Sequence, residues 1–289
     1  MPRKTPTRPR RVARKLRSRD KAPEVLYHYT TAAALVGIIS GKRLRATNFL
    51  SHNDHSELTY GLDFATEQLQ ATLKRGAHPK PVRRSLSRLT DQLLHLRLEQ
   101  IGAYYASFSE VGNLLSQWRT YSGTQGFALG FRPYSHGTAL SFRTEADEEL
   151  SLCRVLYDED EQARTLAQLI ASFERGCEDP QFFETALSKL ITTASAMKHA
   201  GFAEEREWRI MYHPAQMEAA DANHFRVLAD GSDLVSYIEL LPIEGVLPIA
   251  SVVCGPGVYV AAAQQSLKLL LRQSGYKDVQ IKISDIPAL

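Results

Sequence analysis

Cysteine is scarce in this chain. Its three residues, Cys153, Cys177 and Cys254, never fall into a C-x-x-C spacing, which argues against a cysteine-built zinc site and against a disulfide framework. Such usage fits a reducing, cytoplasmic setting. Long apolar runs are also lacking. The most apolar window, residues 245 to 263, is broken by Pro248, Gly255, Pro256 and Gly257, so it cannot form a continuous membrane-spanning helix. The chain does not open on a charged segment followed by an apolar one, so no secretory signal is expected and no membrane partner. Neither G-x-G-x-x-G nor a P-loop is present. Gly255-Pro256-Gly257 before a helical run is the one glycine turn whose free N–H groups could take a phosphate.

What is present describes an ordinary globular protein. Of 289 residues, 44% are hydrophobic and 23% charged, enough for one substantial core. The charge, however, is uneven. Residues 1 to 21 hold ten Lys or Arg against one acid, whereas the other 268 residues carry 25 bases and 31 acids. With Pro2, Pro6 and Pro9 and few apolar residues, this arm is expected to be disordered. It is a candidate for salt-sensitive contact with nucleic acid or another polyanion, or simply a solubilising tail. Residues 22 to 289 are expected to form a single domain.

Periodicity divides that domain. Strand character is expected at residues 24–30, 44–50, 101–110, 126–131, 152–157, 208–212, 225–228, 234–240, 249–254 and 279–283. Helical spacing is expected at residues 32–40, 55–75, 83–100, 113–121, 160–175, 181–199 and 258–273. Asn53 or Asp54 caps the second of these helices, with Glu57 in its first turn. Trp118 and Tyr121 lie three apart, on one helix face. Strands and helices mix without a βαβ repeat, so the expected class is α+β: a mixed β-sheet core with inserted helical pairs at about 55 to 100 and 160 to 199.

The stretch with the strongest chemical character is Glu204-Glu205-Arg206-Glu207-Trp208-Arg209, after Lys198. Taken as a strand, it puts Glu205, Glu207 and Arg209 on one face. Like charges two residues apart repel unless something answers them. The plain reading is ion pairing with Arg206, Arg209 or Lys198; the sharper one is a pair of catalytic carboxylates.

Several motifs carry a resemblance when read in series. Leu26-Tyr27-His28-Tyr29-Thr30, Asn53-Asp54-x-x-Glu57, Phe108-Ser109-Glu110 with Trp118-x-x-Tyr121, Lys198-x-x-x-Phe202-x-x-Glu205-x-Glu207-Trp208-Arg209, Cys254-Gly255-Pro256 and Ser284-x-Ile286-Pro287 resemble a prokaryotic family known only as domain of unknown function 2971. More remotely, a strand ending in His-Tyr-Thr, a middle strand bearing serines and a late Glu-x-Glu look like the three motif blocks of ADP-ribosyltransferases.

That second resemblance implies a split-sheet fold and NAD as substrate. It assigns His28 and Thr30 to the first block, Ser107 and Ser109 to the second, and Glu205 with Glu207 to the third. Tyr29 or Tyr121 would stack on nicotinamide. Glu207 would stabilise the charge that develops on the ribose, and Glu205 would act on the acceptor. The expected function is therefore an NAD-dependent ADP-ribosyltransferase-like enzyme, a toxin or defence effector acting on an unidentified acceptor macromolecule. Two rivals stand beside it. One is a non-enzymatic nucleotide-sensing or nucleic-acid-binding module with Trp118, Tyr121 and Arg209 around its pocket. The other is a metal-dependent hydrolase or nuclease using Asp54, Glu57, Glu205 and Glu207.

Overall fold

The computed structural model describes residues 23–51, 56–76, 78–96, 101–121, 126–135, 138–176, 179–214, 224–230, 233–257 and 260–287. The basic arm, the Asn53 and Asp54 cap and Cys177 lie outside these described residues.

Strand β1 (Leu26–Thr31) feeds directly into helix α1 (Ala32–Gly41). Thr31 sets the junction: its Oγ1 accepts from the Ala34 N–H at 3.3 Å, satisfying one of the free donors of the first turn. The helix ends at Gly41, one residue beyond the expected range, and is capped by Lys42 in the left-handed conformation with φ 52°. The chain continues through β2 (Leu44–Asn48), a short turn at Phe49–Ser51, α2 (Ser56–Arg75), α3 (Lys80–His95), β3 (Tyr104–Ser109), α4 (Leu115–Tyr121) and β4 (Gly126–Phe131). Next come β5 (Tyr134–Ser135), β6 (Thr138–Ala139), β7 (Ser141–Arg143) and β8 (Glu149–Arg154), then α5 (Glu159–Gly176) and α6 (Pro180–Ala194). A 3-10 segment, Ala200–Glu205, leads into β9 (Glu207–Tyr212), followed by β10 (Arg226–Asp230), β11 (Asp233–Pro242), β12 (Ile249–Cys254), α7 (Val260–Gln273) and β13 (Gln280–Ile283).

Eleven strands form one sheet in the order β10-β11-β7-β8-β9-β3-β1-β4-β12-β13, with β2 pairing to both β11 and β3. That double pairing joins β3, β9, β8, β7, β11 and β2 into a closed ring. Every pairing in the sheet is antiparallel except β12 with β13. Segregated helices against a mostly antiparallel sheet make this an α+β fold, as the sequence implied.

Two cores lie on opposite sides of the strands. One gathers Leu26, Phe108, Phe131, Trp208, Ile210 and Val252 with apolar residues of α1 and α7. The other gathers the inward faces of α2, α3, α5 and α6, including Leu62, Leu69, Leu89, Leu166 and Leu190, with Phe49 and Tyr105. The two expected helical pairs thus pack together as one layer. A smaller cluster joins Trp118 of α4 to Tyr29, Ala128 and Val253.

A candidate active-site cavity

Alternation along β3 and β9 builds the site. Their antiparallel register sets Ser107 opposite Arg209, Phe108 opposite Trp208 and Ser109 opposite Glu207. Phe108 and Trp208 turn into the core shared with α1 and α7, so their neighbours face the other way. There Ser107, Glu207 and Arg209 line a cavity of about 260 Å³, completed by Tyr105, Glu57 and Phe49, by Tyr121 at the end of α4, and by Phe202 and Glu205 of the 3-10 segment.

Glu205 reaches this cavity by a route the sequence reading missed. It ends the 3-10 segment rather than belonging to the strand, and β9 begins only at Glu207. Arg206 between them adopts φ 44°, ψ 55°. This left-handed residue, uncommon outside glycine, turns the chain so that both carboxylates still face one space.

Two cations answer three carboxylates. Lys198 Nζ lies 2.7 Å from Glu57 and 3.1 Å from Glu207, and also donates to Glu205. Arg209 holds Glu207 in a fork, Nε to Oε1 at 2.6 Å and Nη2 to Oε2 at 2.9 Å; it also donates to Glu57, and its Nη1 donates to the Ser195 carbonyl at 2.9 Å. A guanidinium fork of this kind matches a carboxylate geometrically as well as electrostatically. The Ser107 hydroxyl bonds Glu207 as well. Lys198, only 2% exposed, is among the largest fully buried side chains. With every group ionised, the cluster carries one negative charge in excess.

The environments of the two central carboxylates diverge. Burial works to raise the Glu207 carboxyl, but Arg209 and Lys198 outweigh it and hold the group down at about 2. For Glu205, burial outweighs Lys198, and the carboxyl sits above its ordinary value. Burial also opposes the charge on Lys198, yet Glu207, Glu57 and Glu205 together keep its ammonium above the usual lysine range. Among the described residues, Glu205 Oε1 is the one oxygen of the three carboxylates without a bond to Lys198 or Arg209.

Other residues singled out by sequence scatter around this centre. His28 is separated from it. The register pairs Tyr27 with Ser109 and brings the His28 ring alongside Phe108, centroids 5.7 Å apart, on the far face of the sheet from Glu207. There its Nδ1 lies 2.9 Å from the Ser107 carbonyl oxygen, a main-chain bond, and burial lowers its pKa. The expected meeting of His28 with the glutamates therefore does not occur; one residue of register decides which face a strand residue serves.

Thr30 is buried opposite Phe127. Tyr29 and Trp118 form an edge-to-face pair at 4.6 Å inside the small core. The Tyr29 hydroxyl donates to the Val111 carbonyl at 2.8 Å and accepts from the Leu114 N–H at 2.9 Å. Ser109 supports the 3-10 segment, its Oγ donating to the Glu205 carbonyl. Of the expected set, Glu205, Glu207, Ser107, Tyr121 and Arg209 converge on the cavity; His28, Thr30, Tyr29, Ser109 and Trp118 do not line it.

Lys198 and Glu57 belong to the site although the sequence reading gave them lesser parts. Glu57 had an ordinary role as a first-turn acid, which concealed it. The signal for Lys198 was its place in the central motif. Tyr157, whose hydroxyl accepts from the Glu207 N–H at 3.1 Å, was missed. The glycine turn has a packing role: the Gly255 N–H donates to the Gly126 carbonyl at 2.9 Å, and a side chain there would strike the Trp118 ring. Among the described residues, no group of three His, Cys, Asp or Glu is arranged to hold a metal ion. Nor is any helix among them long and apolar enough to cross a membrane.

Fold and cavity together define an α+β protein with a partly enclosed, internally charged pocket against its central sheet. Within it, residues 117–210 match the family model described as Protein of unknown function (DUF2971), the family that the motifs resemble. The matched span runs from α4 to β9 and contains Tyr121, Lys198, Glu205, Glu207 and Arg209. No curated protein and no solved structure matches the chain.

Proposed function

We propose that the protein is an enzyme that breaks an N-glycosidic bond, with NAD as substrate and Glu207 and Glu205 as its working carboxylates. The observation that carries this reading is the divergence of the pair: two glutamates facing one cavity, one held ionised by Arg209 and the other raised by burial. Groups driven apart in this way divide acid–base labour.

The chemistry suits both roles. When the bond between ribose and the nicotinamide ring breaks, the ring nitrogen keeps the bonding electrons and leaves neutral, while positive charge develops at the ribose carbon. A preorganised carboxylate stabilises that charge in the transition state. Glu207, fixed by the Arg209 fork and by Lys198, fits this task. The attacking water or acceptor hydroxyl gives up a proton as it bonds to that carbon. Glu205, with Oε1 facing no cation, fits as the base, a role typically worth about 10²–10⁴-fold.

The pocket's negative excess and its aromatic residues Tyr121, Phe202 and Phe49 favour a flat cationic ring such as the pyridinium of NAD. Its volume of about 260 Å³ lies below the roughly 300–1,000 Å³ usual for drug-sized ligands. It would therefore take the nicotinamide end and leave the rest of the dinucleotide outside. This reading rests on the carboxylates and aromatics, not on the three-block resemblance, because His28 occupies the other face of the sheet.

The test is nicotinamide release from NAD by purified protein, with and without cell lysate as a source of acceptor. Release should occur and be lost in Glu207→Gln; its absence under both conditions overturns the assignment. A non-catalytic receptor for a cationic ligand is the second reading, favoured by the five carboxylate oxygens already engaged by Lys198 and Arg209. It predicts thermal stabilisation by nicotinamide riboside without turnover.

A further inference from the structure

Away from the cavity, the structure carries a second charged feature. Between Glu67 and Asp91 the sequence holds Lys74, Arg75, Lys80, Arg83, Arg84 and Arg88 and no acid. These residues occupy the end of α2 and the stretch of α3 from Lys80 to Arg88, all exposed. Along α3, Lys80, Arg84 and Arg88 recur every four residues, with Arg83 and Ser87 beside them, so they form one continuous helix face. That face lines an open groove of about 800 Å³ in which Asp91 is the single acid.

The cations are little neutralised. Arg88 lies 4.0 Å from Glu184 and stacks over the Phe183 ring at 4.1 Å. Lys80, Arg83 and Arg84 make no ion pair among the described residues. Their position also opposes helix electrostatics. The N-terminal turn of a helix favours acids, yet α3 opens on cations, has no acid in its first turn and no side-chain cap at Pro79. Charge set against the local preference of the helix is explained by an external anion.

We infer that the α3 groove is a nucleic-acid-binding surface that holds the phosphate backbone through Lys80, Arg83, Arg84 and Arg88. The four residues between successive cations of the row advance about 6 Å along the helix, near two phosphate steps of about 3.4 Å along one strand. The lining favours nucleic acid over a lipid surface. Beside the cations it offers Ser87, Gln92 and His95, hydrogen-bonding groups, and no apolar side chain, whereas a helix lying on a membrane presents an apolar face.

The experiment measures binding of the full chain to a fluorescein-labelled 20-nucleotide single-stranded DNA and its duplex, by anisotropy across a salt series. Arg83→Glu/Arg84→Glu should weaken binding at least 10-fold at 100 mM salt and flatten the log–log salt slope by about 1.4 for the single strand, at about 0.7 per phosphate contact. Arg83→Lys/Arg84→Lys should stay within about 3-fold of wild type, since the charge is kept. The melting temperature of the Glu variant should hold or rise, because acids suit that helix end, so weaker binding there is not unfolding. Unchanged DNA binding in the Glu variant overturns the proposal and leaves residues 1–21 as the polyanion contact. Retention on phosphatidylserine vesicles that exceeds DNA binding, and is lost in the same variant, overturns it in favour of a membrane.

Discussion

The hydroxyl of Ser109, in the middle of the sheet, donates a 2.7 Å hydrogen bond to the main-chain carbonyl of Glu205 and accepts the Val111 N–H at 3.1 Å. Ser109 thereby anchors the segment that carries the outer glutamate without lining the cavity itself. Ser109→Ala should cost about 1 kcal/mol of stability, the usual net contribution of such a bond. Nicotinamide release should fall mainly in kcat, with KM little altered, because the base rather than the pocket is displaced. Restoration of kcat by Ser109→Thr, which keeps the donor, checks the assignment; equal loss in both variants would count against it.

Glu207→Gln removes the charge that stabilises the reacting centre while preserving shape. Turnover should fall by about 10²–10³-fold, the scale of losing one preorganised electrostatic contact. Arg209→Met is expected to act differently. It leaves the buried Glu207 and the half-buried Glu57 with Lys198 as their remaining cation, and breaking such a network costs about 3–5 kcal/mol. Denaturant melts should show Arg209→Met far less stable than Glu207→Gln.

Stability should fall in acid in two stages. His213 is held down to about 4 by burial, from 6.5. Between those values the unfolded chain binds more protons than the folded one, so stability is lost as pH falls through that range. Glu207, lowered from 4.5 to about 2 by Arg209 and Lys198 against the opposing effect of burial, contributes stability that is full above 4.5 and disappears towards pH 2. The His213 shift corresponds to roughly 3 kcal/mol over its full window. In melts recorded from pH 7 to pH 3, His213→Asn should flatten the upper stage and Glu207→Gln the lower.

Glu205, whose carboxyl is shifted the opposite way from that of Glu207, sets the pH dependence of activity. As a base it acts only when ionised, and burial raises its carboxyl. Turnover should therefore rise with pH through a midpoint above 4.5, and Glu205→Gln should abolish that dependence. A profile unchanged by the substitution would remove Glu205 from the base role.

His28→Gln tests the separation of the two faces. It keeps a donor for the Ser107 carbonyl but removes the imidazole beside Phe108. Activity should remain within about 3-fold of wild type, with a modest loss of stability. A loss as large as that of Glu207→Gln would bring His28 back into the reaction.

The elements were largely legible because their periodicity is clean. Leu58, Leu62, Ala65 and Leu69 announce α2 and line its buried face. Residues 126–131 and 249–254 are strands as read. Strands β5, β6 and β7 were not legible, since two or three residues are too few to show alternation. The site was legible where it is local: Glu205, Glu207 and Arg209 announce themselves through charge density. The face that His28 serves was not legible because it depends on the register of β1 against β3, which no local pattern fixes. Glu57 was obscure because 152 residues separate it from its partner Arg209, and a first-turn acid has an ordinary explanation of its own.

The ring closed by β2 carries a kinetic consequence. Residues 44–48 find one partner strand in residues 104–109 and the other in residues 233–242, so the seam pairs residues 190 to 196 positions apart, from Thr47 with Tyr237 to Leu44 with Leu240. Contacts this distant form late and slow folding. A growing chain exposes the second edge of β2 until the final fifth of the polypeptide has emerged, and chains truncated before residue 233 should aggregate through that edge.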